Sequence, residues 1–162
     1  TSQAYDAVYK WFDKLSEKKI SVFSYVIMPN HFHAILHFPI MPKSLNAIIG
    51  NAKRFMAYEI IKGLKNNKEV LLLEELQRGV SKRERAKGQR HKVFEESFDT
   101  KECQSMKFIR EKIKYIHHNP VSKRWQLAAD FTEYEYSSAS FYEKGIKKYK
   151  RLVHVNDVLQ QF

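Results

Sequence analysis

Residues 25–38 read YVIMPNHFHAILHF. Pro29 and Asn30 are turn residues: proline fixes φ, and an asparagine side chain bonds its own backbone. The flanks, ISVFSYVIM at 20–28 and HFHAILHF at 31–38, are rich in β-branched and aromatic residues. They predict two strands joined as a hairpin. Residues two apart on a strand project from one face. His31 and His33 therefore stand side by side, while Phe32 points into the opposite layer. A buried strand would normally carry Val or Ile at such positions. Two neighbouring imidazoles can ligate one divalent ion if a third ligand or substrate oxygens complete the shell. The alternative is a pair of hydrogen-bonded structural histidines. His37, beyond Ile35 on the same face, reads as packing or surface.

Outward from the hairpin, residues 2–19 place Ala4, Val8, Trp11, Phe12 and Leu15 at helical spacing. After PIMP (39–42) stops the second strand, Ser44 is a good N-cap for a helix over 45–62. Its apolar stripe is Leu45, Ile48, Ile49, Ala52, Phe55, Met56 and Ile60, and Gly63 is the expected stop. Residues 69–77 read as a short helix. The stretch 78–92 holds seven basic residues against Glu84 alone and is interrupted by two glycines; it reads as a mobile basic loop. Residues 93–98 read as a strand. Residues 101–119 read as a helix that Pro120 ends. The order helix, strand, strand, helix, strand, helix fits an α+β fold. A ferredoxin-like antiparallel sheet with helices on one face needs one further strand before the first helix: either it lies upstream of Thr1 or the chain closes its sheet another way. The length suits a single domain, residues 1–162.

Twenty-nine Lys and Arg against eighteen Asp and Glu give a net charge of +11. Such an excess favours polyanionic partners, because neutralised phosphates release condensed counterions. With 43% hydrophobic and 29% charged residues, the chain is globular and not disordered. No run approaches a membrane span of about 20 apolar residues. Cys103 is the one cysteine, which excludes an internal disulfide framework and a cysteine-rich zinc site. An intracellular, cytoplasmic location is the simplest expectation.

In KYIHHNP (114–120), the residues Met106, Ile109, Ile113 and Ile116 form the buried stripe of the helix. Tyr115 lies about 140° away from it. Asn119, four residues on, shares its face. A phenol and an amide oxygen so placed suit a nucleophile beside a metal ligand. They equally suit an exposed tyrosine and a helix-ending asparagine.

Taken together, YVIMPNHFHAILHF, KGQRHKVFEESF, YIHHNPV and EYEYSSASFY resemble the single-tyrosine HUH transposases, most of all the REP-associated tyrosine transposase branch. The likeness covers about residues 5–142. It implies a ferredoxin-like core with an added helix carrying the tyrosine. It also implies cleavage and rejoining of hairpin-marked single-stranded DNA, a homodimer, and a nucleoid-associated place in the bacterial cytoplasm. His31 and His33 match the metal ligands and Tyr115 the nucleophile. Asn119 stands where some relatives carry a metal-binding glutamine one methylene longer. YIHHNPVSKRWQ also lacks the glycine-containing turn usual after the NP pair. The ion implied is Mg²⁺ or Mn²⁺, with phosphate oxygens and water filling its shell. A phenol's ordinary pKa is about 10, so ion and nearby cations must assist its deprotonation.

Lys53, Arg54, Lys82, Arg83, Arg85, Lys87, Arg90 and Lys92 are candidates for the DNA backbone. Tyr134, Tyr136 and Phe141 read as core aromatics first and as base-stacking rings second. Rival functions are a non-catalytic hairpin-DNA binder derived from a transposase, an HUH replication or relaxase nuclease, and an RNA-binding ferredoxin-like domain. The last would show an aromatic-rich strand surface where this hairpin carries imidazoles.

Overall fold

The computed structural model describes residues 2–42, 44–95 and 98–159. The chain divides into two compact units, one made of residues 1–8 and 43–100, the other of residues 9–42 and 101–162. The architecture is mixed α+β. No helix among the described residues is long and apolar enough to cross a membrane.

In the second unit, β1 (Ser21–Ile27) pairs antiparallel with β2 (Phe32–His37). The Met28 N–H donates to the His31 carbonyl at 2.8 Å across the Pro29–Asn30 turn. A bulge between Val22 and Ser24 turns Phe23 and Ser24 towards the same side. Six consecutive residues of β1 are buried, which requires cover on both faces. Helix α1 (Ser2–Glu17) supplies one cover. Phe12 packs on Tyr25 with ring centroids 5.4 Å apart, and Trp11 on Phe32 at 5.6 Å. Helix α5 (Met106–His118) covers the other. Its Ile109, Ile113 and Ile116 join Phe23, Val26 and Ile35 in one apolar cluster. Adjacent residues of β1 thus face different helices.

The free edge of β1 is also occupied. Ile27 N–H donates to the Tyr136 carbonyl at 2.8 Å, Ser138 N–H to the Tyr25 carbonyl at 3.0 Å, and Val153 N–H to the Val22 carbonyl at 3.1 Å. Tyr134 and Tyr142 hydroxyls donate to the carbonyls of Ile27 and Phe23 at 2.9 and 2.8 Å. β1 therefore has partners along both edges. β2 has β1 as its one strand neighbour among the described residues.

The first unit is helical. α2 (Leu45–Asn66) starts where Ser44 Oγ accepts the Ala47 N–H at 3.1 Å. It runs through Gly63, the expected stop, and ends before Lys68, which takes φ +57°. α3 (Val70–Arg78) follows. The basic stretch is not wholly a loop: it contains α4 (Lys82–Ala86). Ser81 Oγ accepts the Glu84 N–H, and the Glu84 carboxylate accepts the Ser81 N–H at 2.7 Å. This reciprocal cap satisfies two donors that a short helix leaves open. Of the expected strand 93–98, residues 93–95 and 98 are irregular, and 96 and 97 lie outside the described residues. α5 begins at Met106, five residues later than expected, because Ser105 Oγ accepts the Phe108 N–H at 3.2 Å. Past α5, Asn119–Val121 tighten into a 3-10 turn (η1). Two short helices, α6 (Ala139–Lys144) and α7 (Val155–Leu159), complete the described chain.

Candidate active site

The hairpin turn and the C-terminal end of α5 bring the sequence-chosen residues together. The His31 and His33 rings lie side by side, centroids 5.0 Å apart. Only His33 is within β2; His31 ends the turn. The Tyr115 ring stands 5.7 Å from that of His33. Asn30, His31, Tyr115 and Asn119 line one open cleft of about 550 Å³, together with His118, Ser122, Arg124 and Trp125. That volume accommodates a small organic group, not merely water. His33 adjoins the cleft through the Tyr115 ring.

His31 is held in one tautomer. Its Nδ1 lies 2.6 Å from Asn30 Oδ1. An amide oxygen only accepts, so Nδ1 carries the proton and Nε2 keeps its lone pair. Partial burial first, and the Arg124 charge second, lower the His31 pKa below the usual histidine value, so the neutral ring dominates at neutral pH. A metal-binding histidine ordinarily has this form, with its second nitrogen donating to an oxygen. No group of three His, Cys, Asp or Glu side chains that could hold a metal exists among the described residues. The His31 ring and the Asn119 amide line the same cleft, with the His33 ring beside that of His31.

Tyr115 is 58% exposed. Lys112, one turn earlier, places its ammonium 5.9 Å from the ring centre. Two residues past Tyr115 the helix turns inward. His117, 2% exposed, has Nε2 at 3.2 Å from Ser24 Oγ and 2.9 Å from Ser138 Oγ. The two serine oxygens are 3.1 Å apart, and Ser138 Oγ accepts the Tyr25 N–H at 2.9 Å. Burial pushes the His117 pKa down to about 4, so this node is neutral. It pins α5 to β1.

The expected DNA-backbone residues all belong to the other unit and fall into two sets. Lys53 donates to the Glu95 carbonyl at 2.7 Å and lies over the Phe98 ring. Arg85 donates to the Val80 and Gln77 carbonyls at 3.1 and 2.9 Å. Lys92 pairs with Glu95 at 3.1 Å and reaches Glu84 at 3.8 Å. These three hold the unit together. Arg54, Lys82, Arg83, Lys87 and Arg90 are exposed. Tyr134 is buried, and Tyr136 and Phe141 are partly buried, in keeping with core packing.

Sequence reasoning passed over Arg124, Trp125, His118 and His117. Trp125 packs on His31 at 5.6 Å between ring centres. A Trp beside an Arg just after the NP turn was the signal available. The chain matches no protein-family model, no curated protein and no solved structure.

Proposed function

We propose that the protein is a single-tyrosine HUH transposase: a metal-dependent enzyme that cuts and rejoins hairpin-marked single-stranded DNA. One observation carries the reading. His31, Tyr115 and Asn119, chosen from two separate stretches of sequence, line one cleft, and His33 adjoins it beside the Tyr115 ring. The same proposal reads the α+β core as part of a ferredoxin-like domain, with α5 as the added tyrosine helix. It also assigns a cytoplasmic, nucleoid-associated location.

His31 and His33 would hold Mg²⁺ or Mn²⁺, with the Asn119 amide oxygen beside them. When bound, the ion supplies charge to polarise a nonbridging phosphate oxygen and to stabilise the leaving 3′ oxygen. The Tyr115 oxygen, having lost its proton, attacks phosphorus. A 5′-phosphotyrosine bond forms, the bond from phosphorus to the 3′ oxygen breaks, and that oxygen takes up a proton. In rejoining, a 3′ hydroxyl attacks the same phosphorus and the tyrosine leaves as phenol. The covalent link preserves the bond energy, so no nucleoside triphosphate is consumed. Lys112 and Arg124 add positive charge near the phenol and the phosphate.

The test is a labelled hairpin-tailed single strand incubated with Mn²⁺ and resolved under denaturing conditions. The wild-type chain is expected to shift the label as a covalent adduct, and Tyr115→Phe to give none. His31→Ala is expected to lose cleavage and to recover part of it in excess Mn²⁺. Metal cannot rescue the phenylalanine variant, because the attacking oxygen is missing. An adduct on Tyr115→Phe would sink the assignment. An adduct absent from both proteins, with tight hairpin binding retained, would favour the non-catalytic binder. A homodimer belongs to this proposal. A two-fold pairing through the strand at 20–28 is closed off, because β1 has both edges occupied; a strand-paired dimer would use β2. Light scattering giving an active monomer at high concentration would remove the dimer.

A further inference from the structure

We propose that the outward face of α2 is a stacking surface for unpaired bases of single-stranded DNA, with Phe55 and Tyr58 as the rings; the choice of DNA rests on the reading just given. α2 buries Ala52, Met56, Ile60 and Leu64. At 100° per residue these fall on one side of the helix. Asn51, Arg54, Phe55, Tyr58, Lys62 and Lys65 fall on the other, and all six are exposed. Phe55 is 60% and Tyr58 63% exposed. Rings of this size ordinarily dominate a core, yet the inner face of α2 is complete without them.

Charge decides what the rings meet. The stripe carries Arg54, Lys62 and Lys65. Glu59, the one carboxylate of α2, flanks it beside Phe55. The Arg54 guanidinium lies 5.1 Å from the Phe55 ring centre and donates to Asn51 Oδ1 at 3.2 Å, so cation and ring are held as one unit. Phe55 and Tyr58, three residues apart on a helix, have Cβ atoms about 5–6 Å apart, a separation that neighbouring nucleotides of an unstacked strand span. Every base offers a π-face to such rings, and the cations meet the phosphates between them. A protein partner fits less well, since the centres of protein interfaces are depleted in lysine. A duplex fits less well too, because its π-faces are stacked away.

The test is fluorescence anisotropy of the full chain, without added divalent ion. The probes are a fluorescein-labelled thymine oligonucleotide and a duplex of equal length. Phe55→Ala with Tyr58→Ala is expected to weaken single-strand binding at least about tenfold, the loss of one stacking contact. Duplex binding should change less than about twofold, since charge alone governs it. Phe55→Leu with Tyr58→Leu keeps the apolar area without the π-face and is expected to lose as much, with an unchanged melting transition. Phe55→Trp with Tyr58→Phe is expected to retain affinity. Lys62→Ala with Lys65→Ala should flatten the salt dependence by about 0.7 in log–log slope per lysine. Unchanged single-strand affinity in the alanine and leucine pairs overturns the proposal, as does an equal loss on both DNAs. An altered oligomeric state with unchanged DNA affinity overturns it in favour of a protein partner. No step of this assay needs the Tyr115 nucleophile, so failure of adduct formation and failure of stacking are read separately.

Discussion

Tyr115 and His117 are two residues apart and differ in every physical respect. The phenol is in water; the imidazole is sealed between Ser24 and Ser138. His117→Ala removes a buried ring and leaves two hydroxyls to find new partners. It is expected to cost about 3 kcal/mol, read as a lower urea midpoint at unchanged slope. Tyr115→Phe, at an exposed position, should shift that midpoint by less than about 0.5 kcal/mol. The sequence made Tyr115 legible because it sits off the apolar stripe of its helix. His117 was not legible, because a polar residue at the edge of that stripe carries no mark of its partner. Its partners lie 93 and 21 residues away. Tyr134 gives its hydroxyl to the Ile27 carbonyl and is occupied structurally.

At the scale of elements, what could be read locally agreed with what local chemistry controls. Ser44 caps α2 as its sequence suggests, and the Pro29–Asn30 turn makes the hairpin. Ser81 and Glu84 spell a capping box inside a run of cations. A charge-rich run reads as loop by composition, whereas two side chains at one end of it are enough to start α4. Gly63 was misread because a glycine inside a helix costs only about 1 kcal/mol against alanine, too little to stop a helix whose Leu64 is buried. The later start of α5 follows from Ser105, a cap available in the sequence. Ser105→Ala is expected to cost about 1 kcal/mol. Hydrogen exchange should show it as faster exchange at the first amides of α5, with the amides around Tyr115 little changed.

For the molecule as a whole, the α+β class and the +11 charge were legible, because they follow from composition and period. The cover on both faces of β1 was not: a strand buried on two sides and one buried on a single side differ only in what comes to pack there. The buried His117 has a pH consequence. Its pKa is lowered from 6.5 to about 4 on folding, so the unfolded chain binds the proton more readily. This contribution leaves stability intact above pH about 6.5, and stability falls as pH drops towards 4. The full loss is roughly 3 kcal/mol, at about 1.4 kcal/mol per unit. Urea midpoints measured across this window should fall with acidification, and His117→Phe, which cannot titrate, should flatten the fall. The seat of His117 has a mechanical side as well. In the proposed covalent complex, a DNA strand joined to Tyr115 would be a long tether, and any drag on it would be felt first by α5. The anchor sits half a turn beyond the proposed point of attachment and would hand the pull to β1. Traction on the tether would therefore strain a buried, hydrogen-bonded joint and spare the tip of a fraying helix.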